Sequence, residues 1–154
     1  MTYPAGTTSD GSQRWVATPA DYVTKAVIAH KDDPAFQKRF WDKVDVGFDI
    51  EDCHIWLGAL SDEGYGNFTV KRHTVRAHRV AWILRFGDAP GDLMLDHVAC
   101  IGRFCVNTDH LEPVDNQENT RRGRGTGKLI QREARRLELI RRAEIREAEE
   151  RELW

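Results

Sequence analysis

At 154 residues the chain has room for one ordinary domain with an apolar core plus appendages, and not for two domains of typical size. Hydrophobic residues make up 40% and charged residues 31%, which is globular composition with a polar bias, and no apolar run reaches the roughly 20 residues of a membrane-spanning helix. The formal net charge of −2 hides a segregation. Met1 to Tyr65 carries six basic residues against eleven acids, Lys71, Arg72, Arg76, Arg79 and Arg85 follow with no acid between them, and Arg121, Arg122, Arg124 and Lys128 form a second basic run. Positive charge gathered in this way suits a polyanion such as nucleic acid.

The opening, MTYPAGTTSDGSQRW, has neither a basic nor an apolar leader region, so the expected compartment is the cytoplasm. In that reducing setting three cysteines serve as thiolate ligands or buried thiols rather than as disulfides. Residues 1–17, rich in Gly, Ser, Thr and Pro without apolar period, read as a flexible tail. Thr18-Pro19 reads as an N-cap with proline at the first helical position, opening a helix through DYVTKAVIAH. Asp33-Pro34 repeats the signal, and Phe36, Phe40 and Val44 then fall at i, i+4, i+8 on one apolar face beside Trp41. From Cys53 to His78 the runs IWLGAL, NFTVKR and TVRAH, separated by Asp62-Glu63-Gly64 and Gly66, predict a β hairpin or small meander. Val80 to Phe86 reads as a short helix stopped by Gly87 and Pro90. Leu93 and Leu95 alternate along a strand ending at Asp96-His97, and HLEPV from His110 to Val114 is a second strand whose Pro113 marks an edge. Asp115 with Glu118 three residues on forms an acidic capping box, which puts Asn119 in the first turn of a helix. From about Thr126 to Trp154 the chain is one charged helix whose thin apolar stripe, Ile130, Ala134, Leu137, Ile140 and Ala148, docks weakly or faces a second copy or partner protein.

Cys100-x4-Cys105-x4-His110 supplies three of the four tetrahedral ligands that structural Zn²⁺ takes. Cys53 is the remaining cysteine, and recruiting it would tie the β meander to the loop in a Cys₃His site that uses every thiol of the protein; His54 is the alternative fourth ligand. Asp96, His97 and Asn119 are left over. If the two strands form a hairpin across the zinc loop and the helix packs back, the turn carrying Asn119 faces the strand end carrying Asp96-His97.

The motif LDH…C…CVN…HLEPV…EN, within roughly Cys53 to Gly123, resembles the HNH nucleases, also called ββα-metal or His-Me finger nucleases. The upstream FWDKV…CHIWLGALSDEGYGNF…AHRVAW is similar to small HNH proteins of phage genomes, and the Cys and His spacing is similar to that of His-Cys-box homing endonucleases, where a Cys₃His zinc braces the active-site hairpin. The resemblance implies an α+β fold: a zinc-braced ββα-metal finger (93–123) within a nuclease domain (18–125), preceded by N-terminal helices (18–45) and a β meander and followed by the charged helix (126–154). It implies hydrolysis of DNA phosphodiesters, in the host cytoplasm if the protein is phage-encoded. His97 matches the general base, Asp96 and Asn119 the ligands of the catalytic cation, and Asn107 the asparagine that ties the loop together. His110, which binds the catalytic cation in many HNH enzymes, is here assigned to zinc; if zinc fails, it returns to the catalytic set.

The chemistry suits these side chains. Water attack on an anionic phosphodiester needs a base that is neutral near physiological pH and a cation to absorb charge on the phosphorane. One carboxylate and one amide carbonyl are hard oxygen donors suited to Mg²⁺ or Mn²⁺, and a single carboxylate favours one metal over two. Arg79 is the candidate phosphate clamp, while His73 and His78 read as surface or packing residues. A zinc-stapled DNA-binding module without catalysis is the competing expectation.

Overall fold

The computed structural model describes residues 2–7, 13–17, 19–98, 100, 102–122 and 128–154, and only the backbone of 2–7, 13–17, 19–21 and 128. Thr18, the expected cap of the first helix, and residues 123–127, where the core unit and its second basic run meet the last helix, lie outside this description. Within the segment expected as a tail, β1 (Thr2–Thr7) and β2 (Gln13–Ala17) pair antiparallel. Backbone pairing supplies there what apolar periodicity does not.

Two helices follow as the caps predict, α1 (Pro19–His30) and α2 (Pro34–Trp41). α1 buries Val23, Ala26 and Val27, the i, i+3, i+4 stripe of an amphipathic helix. The Asp33 carboxylate accepts from the N–H of Ala35 at 3.0 Å, closing the start of α2. α2 ends at Trp41, before the third residue of the expected stripe: Val44 belongs to β3 (Val44–Asp45), paired with β4 (Ile55–Trp56). The expected meander is therefore divided. Only β5 (Asn67–Val70) and β6 (His73–Arg76) make a tight hairpin, whereas β4 is also held by the loop beyond Cys100, through Trp56 N–H to Phe104 O at 3.0 Å and Val106 N–H to His54 O at 2.8 Å.

α3 (Ala77–Phe86) starts three residues earlier than the apolar run suggests and stops at Gly87, whose φ of +84° closes the helix in the left-handed region. β7 (Met94–His97) and β8 (Leu111–Val114) pair antiparallel, with Asp96 opposite Glu112 and His97 opposite Leu111. A single 3₁₀ turn, Thr108–His110, leads into β8, and α4 (Asn116–Arg122) packs back on β7. The Asp115 carboxylate caps α4 by accepting from Glu118 N–H at 2.7 Å.

The core lies between α1, α2, α3 and the β4–β6 region. Phe40, Trp56 and Phe68 meet there with ring centroids 5.2 to 5.8 Å apart, and Phe36 joins edge-on to Phe68. Gly66 is required at its position, because a Cβ would lie 2.7 Å from the Trp56 ring and 2.9 Å from Ala77 Cβ.

The last helix, α5 (Lys128–Glu152), carries most of the expected stripe outwards. Ile130, Leu137, Ile140 and Ala148 are exposed, and only Ala134 of the five is half-buried. The docking face is mainly polar, Gln131, Arg135, Arg142 and Arg146, with Ala134 and Leu139 packed against the core. Arg135 donates to the carbonyls of Trp56 and Gly58 at 2.9 and 2.7 Å, and Arg142, only 1% exposed, donates to Cys53 O at 2.7 Å and to Asp45. Hydrogen bonds to backbone carbonyls left over by short strands hold α5 in place, so it needs little apolar area. No helix among the described residues is long and apolar enough to cross a membrane.

Candidate functional site

The loop between β7 and β8 folds over β4 and brings four metal-type ligands together. Cys53 arrives from the segment before β4, Cys100 and Cys105 from the loop, and His110 from the end of the 3₁₀ turn; their ligand atoms all lie within 4.8 Å of one another. His110 Nδ1 is 3.5 Å from Cys53 Sγ and 3.6 Å from Cys105 Sγ. Zn–S bonds of about 2.3 Å and Zn–N bonds of about 2.0–2.1 Å at tetrahedral angles place S and N roughly 3.6 Å apart, so the four atoms are consistent with a zinc site. Of the two candidates for the fourth position the structure selects Cys53. His54 instead lines a separate cavity of about 300 Å³ with Trp41, Leu84 and Val106.

The close approach of the three thiols disfavours the thiolate form of Cys100 and Cys105. Hydrogen bonding to Cys105 and Cys53, then burial, pushes the Cys100 thiol far up. Cys105, lowered by its bond to Cys100 but raised by Cys53 and burial, is pushed up to about 12. Three thiolates cannot share this space unless a dication offsets their repulsion. The surroundings fix the ligands: Asn107 N–H points at Cys105 Sγ at 3.4 Å, and Arg142 holds the Cys53 carbonyl. Asn107, 2% exposed, crosslinks the loop to the segment before Cys53. Its amide donates to Asp52 O at 2.8 Å, and its Oδ1 accepts from Asp109 N–H at 3.0 Å.

At the end of β7, His97 Nε2 lies 2.9 Å from the Cys105 carbonyl. A carbonyl only accepts, so Nε2 carries the proton and Nδ1 of the neutral ring keeps its lone pair. Burial pushes His97 below the ordinary histidine value, against the opposing pull of the Cys105 carbonyl and Asp96. The neighbouring Asp96 is not free: Arg122 Nη1 donates to its carboxylate at 3.1 Å and also reaches Glu112 at 2.7 Å, while Arg122 Nε holds Glu118 at 2.6 Å. Asn119 is half-buried on α4, which packs against β7, and its side-chain amide has no hydrogen-bond partner among the described residues. Arg79 is likewise half-buried without ion pair or hydrogen bond among them.

Two residues of this region escape sequence reasoning as site components. The ring of His78 lies 4.9 Å from that of His97 and stacks on Tyr65 at 5.3 Å, and Tyr65 reaches His97 at 5.8 Å. His78 is 6% exposed, and its Nδ1 is buried with no partner among the described residues. Burial, then His97, Arg79 and Arg76, push it well below the usual histidine range. A signal exists in the sequence: extending VAWILRF back by one turn puts His78 on the same face as Ala81. Arg122 carries only the local i,i+4 signal towards Glu118, since its other two acidic partners, Asp96 and Glu112, come from separate strands.

No protein-family model matches the chain, and no solved structure is significantly similar to it. Among curated proteins it is similar to Protein 7.7 of Escherichia phage T7, with 33% identity over 73 residues. The match covers 46% of this chain and 55% of the phage protein, so the chain spans about half the length of that relative.

Proposed function

We propose that this chain is a metal-dependent DNA endonuclease of the HNH type, with a structural zinc at Cys53, Cys100, Cys105 and His110. The observation that carries the reading is the His97–Cys105 carbonyl bond, which leaves Nδ1 of a neutral imidazole as a base at the strand end tied to the loop that the thiol cluster braces. In the proposed reaction a water gives its proton to His97 Nδ1 as its oxygen attacks phosphorus, and the P–O3′ bond breaks on the opposite side. Asp96 and the Asn119 amide carbonyl would hold one Mg²⁺ or Mn²⁺, which when bound supplies charge to offset the phosphorane and the leaving oxygen. Asp96 must then exchange Arg122 for that cation. Arg79, without a partner of its own among the described residues, is the phosphate clamp. Similarity to a phage protein accords with a role among mobile or viral genes.

The Asp96–Arg122 pair favours a second reading, a zinc-stapled DNA-binding module in which that carboxylate serves only structure. Incubation of supercoiled plasmid with wild type and His97→Ala, with Mg²⁺ and with EDTA, separates the two. Relaxation or linearisation that needs both the metal and His97 supports the nuclease; DNA binding without cutting under any metal supports the module.

A further inference from the structure

The hairpin β5–β6 closes through Lys71-Arg72, the two residues between the paired Val70 and His73. Their φ angles are +46° and +68°. Two positive values at a two-residue hairpin turn fit the type I′ geometry, for which Asn-Gly or Gly-Gly is the default because other side chains crowd the backbone there. Every other positive-φ position among the described residues is a glycine: Gly47, Gly64, Gly87 and Gly91. The chain meets that demand with glycine four times and at this one tip sets two long cations in the strained conformation. Such strain marks a position held for something other than stability.

The charges at the tip are also uncommitted. Elsewhere in the first basic run Arg76 pairs with Glu63 and Arg85 with Asp109 while the unpaired Arg79 is half-buried, and in the second Arg121 and Arg122 pair with Glu118. Lys71 and Arg72 are exposed and have neither ion pair nor hydrogen bond among the described residues. Asp33 shares a shallow cavity with Lys71, but its carboxylate is engaged in capping α2. The tip is steadied from behind by Tyr22, edge-on to His73 at 5.4 Å. β6 then runs directly into α3 and His78, so at about 3.3 Å per residue the tip stands roughly 15 Å from the His78–His97 pair, four to five base-pair rises of about 3.4 Å.

We propose that the Lys71-Arg72 tip is a contact for the phosphate backbone of duplex DNA, reaching phosphates four to five base pairs from the position His97 attends. The inference rests on the DNA reading above and names the part of the surface that grips the duplex. Full-length zinc-loaded protein is titrated with a fluorescent duplex at several salt concentrations, as wild type, K71N/R72G, K71Q/R72Q, and R136Q/R141Q as a charge control on α5. Each lost phosphate contact removes about 0.9 from the slope of log K against log salt, so both tip variants lose about 1.8 and bind on the order of tenfold more weakly. K71N/R72G melts higher than wild type because it relieves the turn, while K71Q/R72Q does not and R136Q/R141Q keeps the wild-type slope. A wild-type slope in both tip variants overturns the assignment and leaves DNA binding standing. If the wild type itself does not bind duplex DNA, the DNA reading and the tip contact both fall.

Discussion

His78 places a polar ring nitrogen where it is buried with no partner among the described residues. A buried imidazole nitrogen without a partner costs on the order of 1–3 kcal/mol, and phenylalanine of similar shape would not incur it. His78→Phe is therefore expected to raise the thermal midpoint while lowering any DNA cleavage that depends on the adjacent His97. The pH dependence has a definite sign. His54, His78 and His97 are all held below the usual value of 6.5, so below that pH the unfolded chain binds protons that the folded chain refuses. Their share of stability is present above pH 6.5 and is lost as pH falls beneath it. Denaturant melts between pH 7 and 5 should show the wild type weakening more steeply than His78→Phe. Cys53→Ser tests the metal ligands directly: zinc content by mass spectrometry should fall from about one ion per chain, with the melting temperature falling alongside it.

At the scale of elements, α5 shows how a helix of very polar composition can be an integral part of a fold. Arg142 is buried and shared among Asp45, Glu138 and the carbonyl of a zinc-type ligand, so Arg142→Ala strands several acceptors at once. A loss of about 3 kcal/mol is expected, read as the shift in urea midpoint, and faster zinc transfer to a chelator should accompany it. Asp45 gives this docking an acid limit. The Arg146 hydrogen bond, with Gly47 N–H and Arg142, holds its carboxyl at about 2 against an ordinary 3.8, opposed only by burial. A depressed folded value means the contribution is intact above about pH 3.8 and disappears as pH falls towards 2. Asp45→Asn should remove that acid step at the cost of lower stability at neutral pH, which denaturant melts at the two pH values compare.

For the molecule as a whole, three segments distant in sequence converge on the thiol cluster. The β3–β4 segment supplies Cys53, the β7–β8 loop supplies Cys100, Cys105 and His110, and α5 clamps the Cys53 carbonyl. Ending the chain after Gly125 is therefore expected to loosen the core and the cluster together, with a lower melting temperature and rapid zinc loss. A truncated protein that keeps wild-type melting and zinc retention would show instead that α5 is an appended arm, whose outward Ile130, Leu137 and Ile140 serve a second copy or partner.

Much of this was written locally and could be read in order along the chain. Asp33 and Asp115 cap helices because their carboxylates need only neighbouring N–H groups, Gly87 stops α3 because one left-handed residue suffices, and Cys100, Cys105 and His110 converge because they share one loop. The pairing of the Asp96-His97 strand with HLEPV follows from the same proximity. What tertiary structure alone decided involves a choice among distant partners that local pattern leaves equal. Cys53 rather than His54 joins the thiols because β4 turns the one inward and the other towards Trp41. Arg122 rather than solvent meets Asp96 because α4 folds back on β7. The apolar positions of α5 suggested one docking face and its arginines took another, because unpaired carbonyls at the ends of short strands bind a guanidinium more firmly than a thin apolar stripe binds a surface with little area to bury.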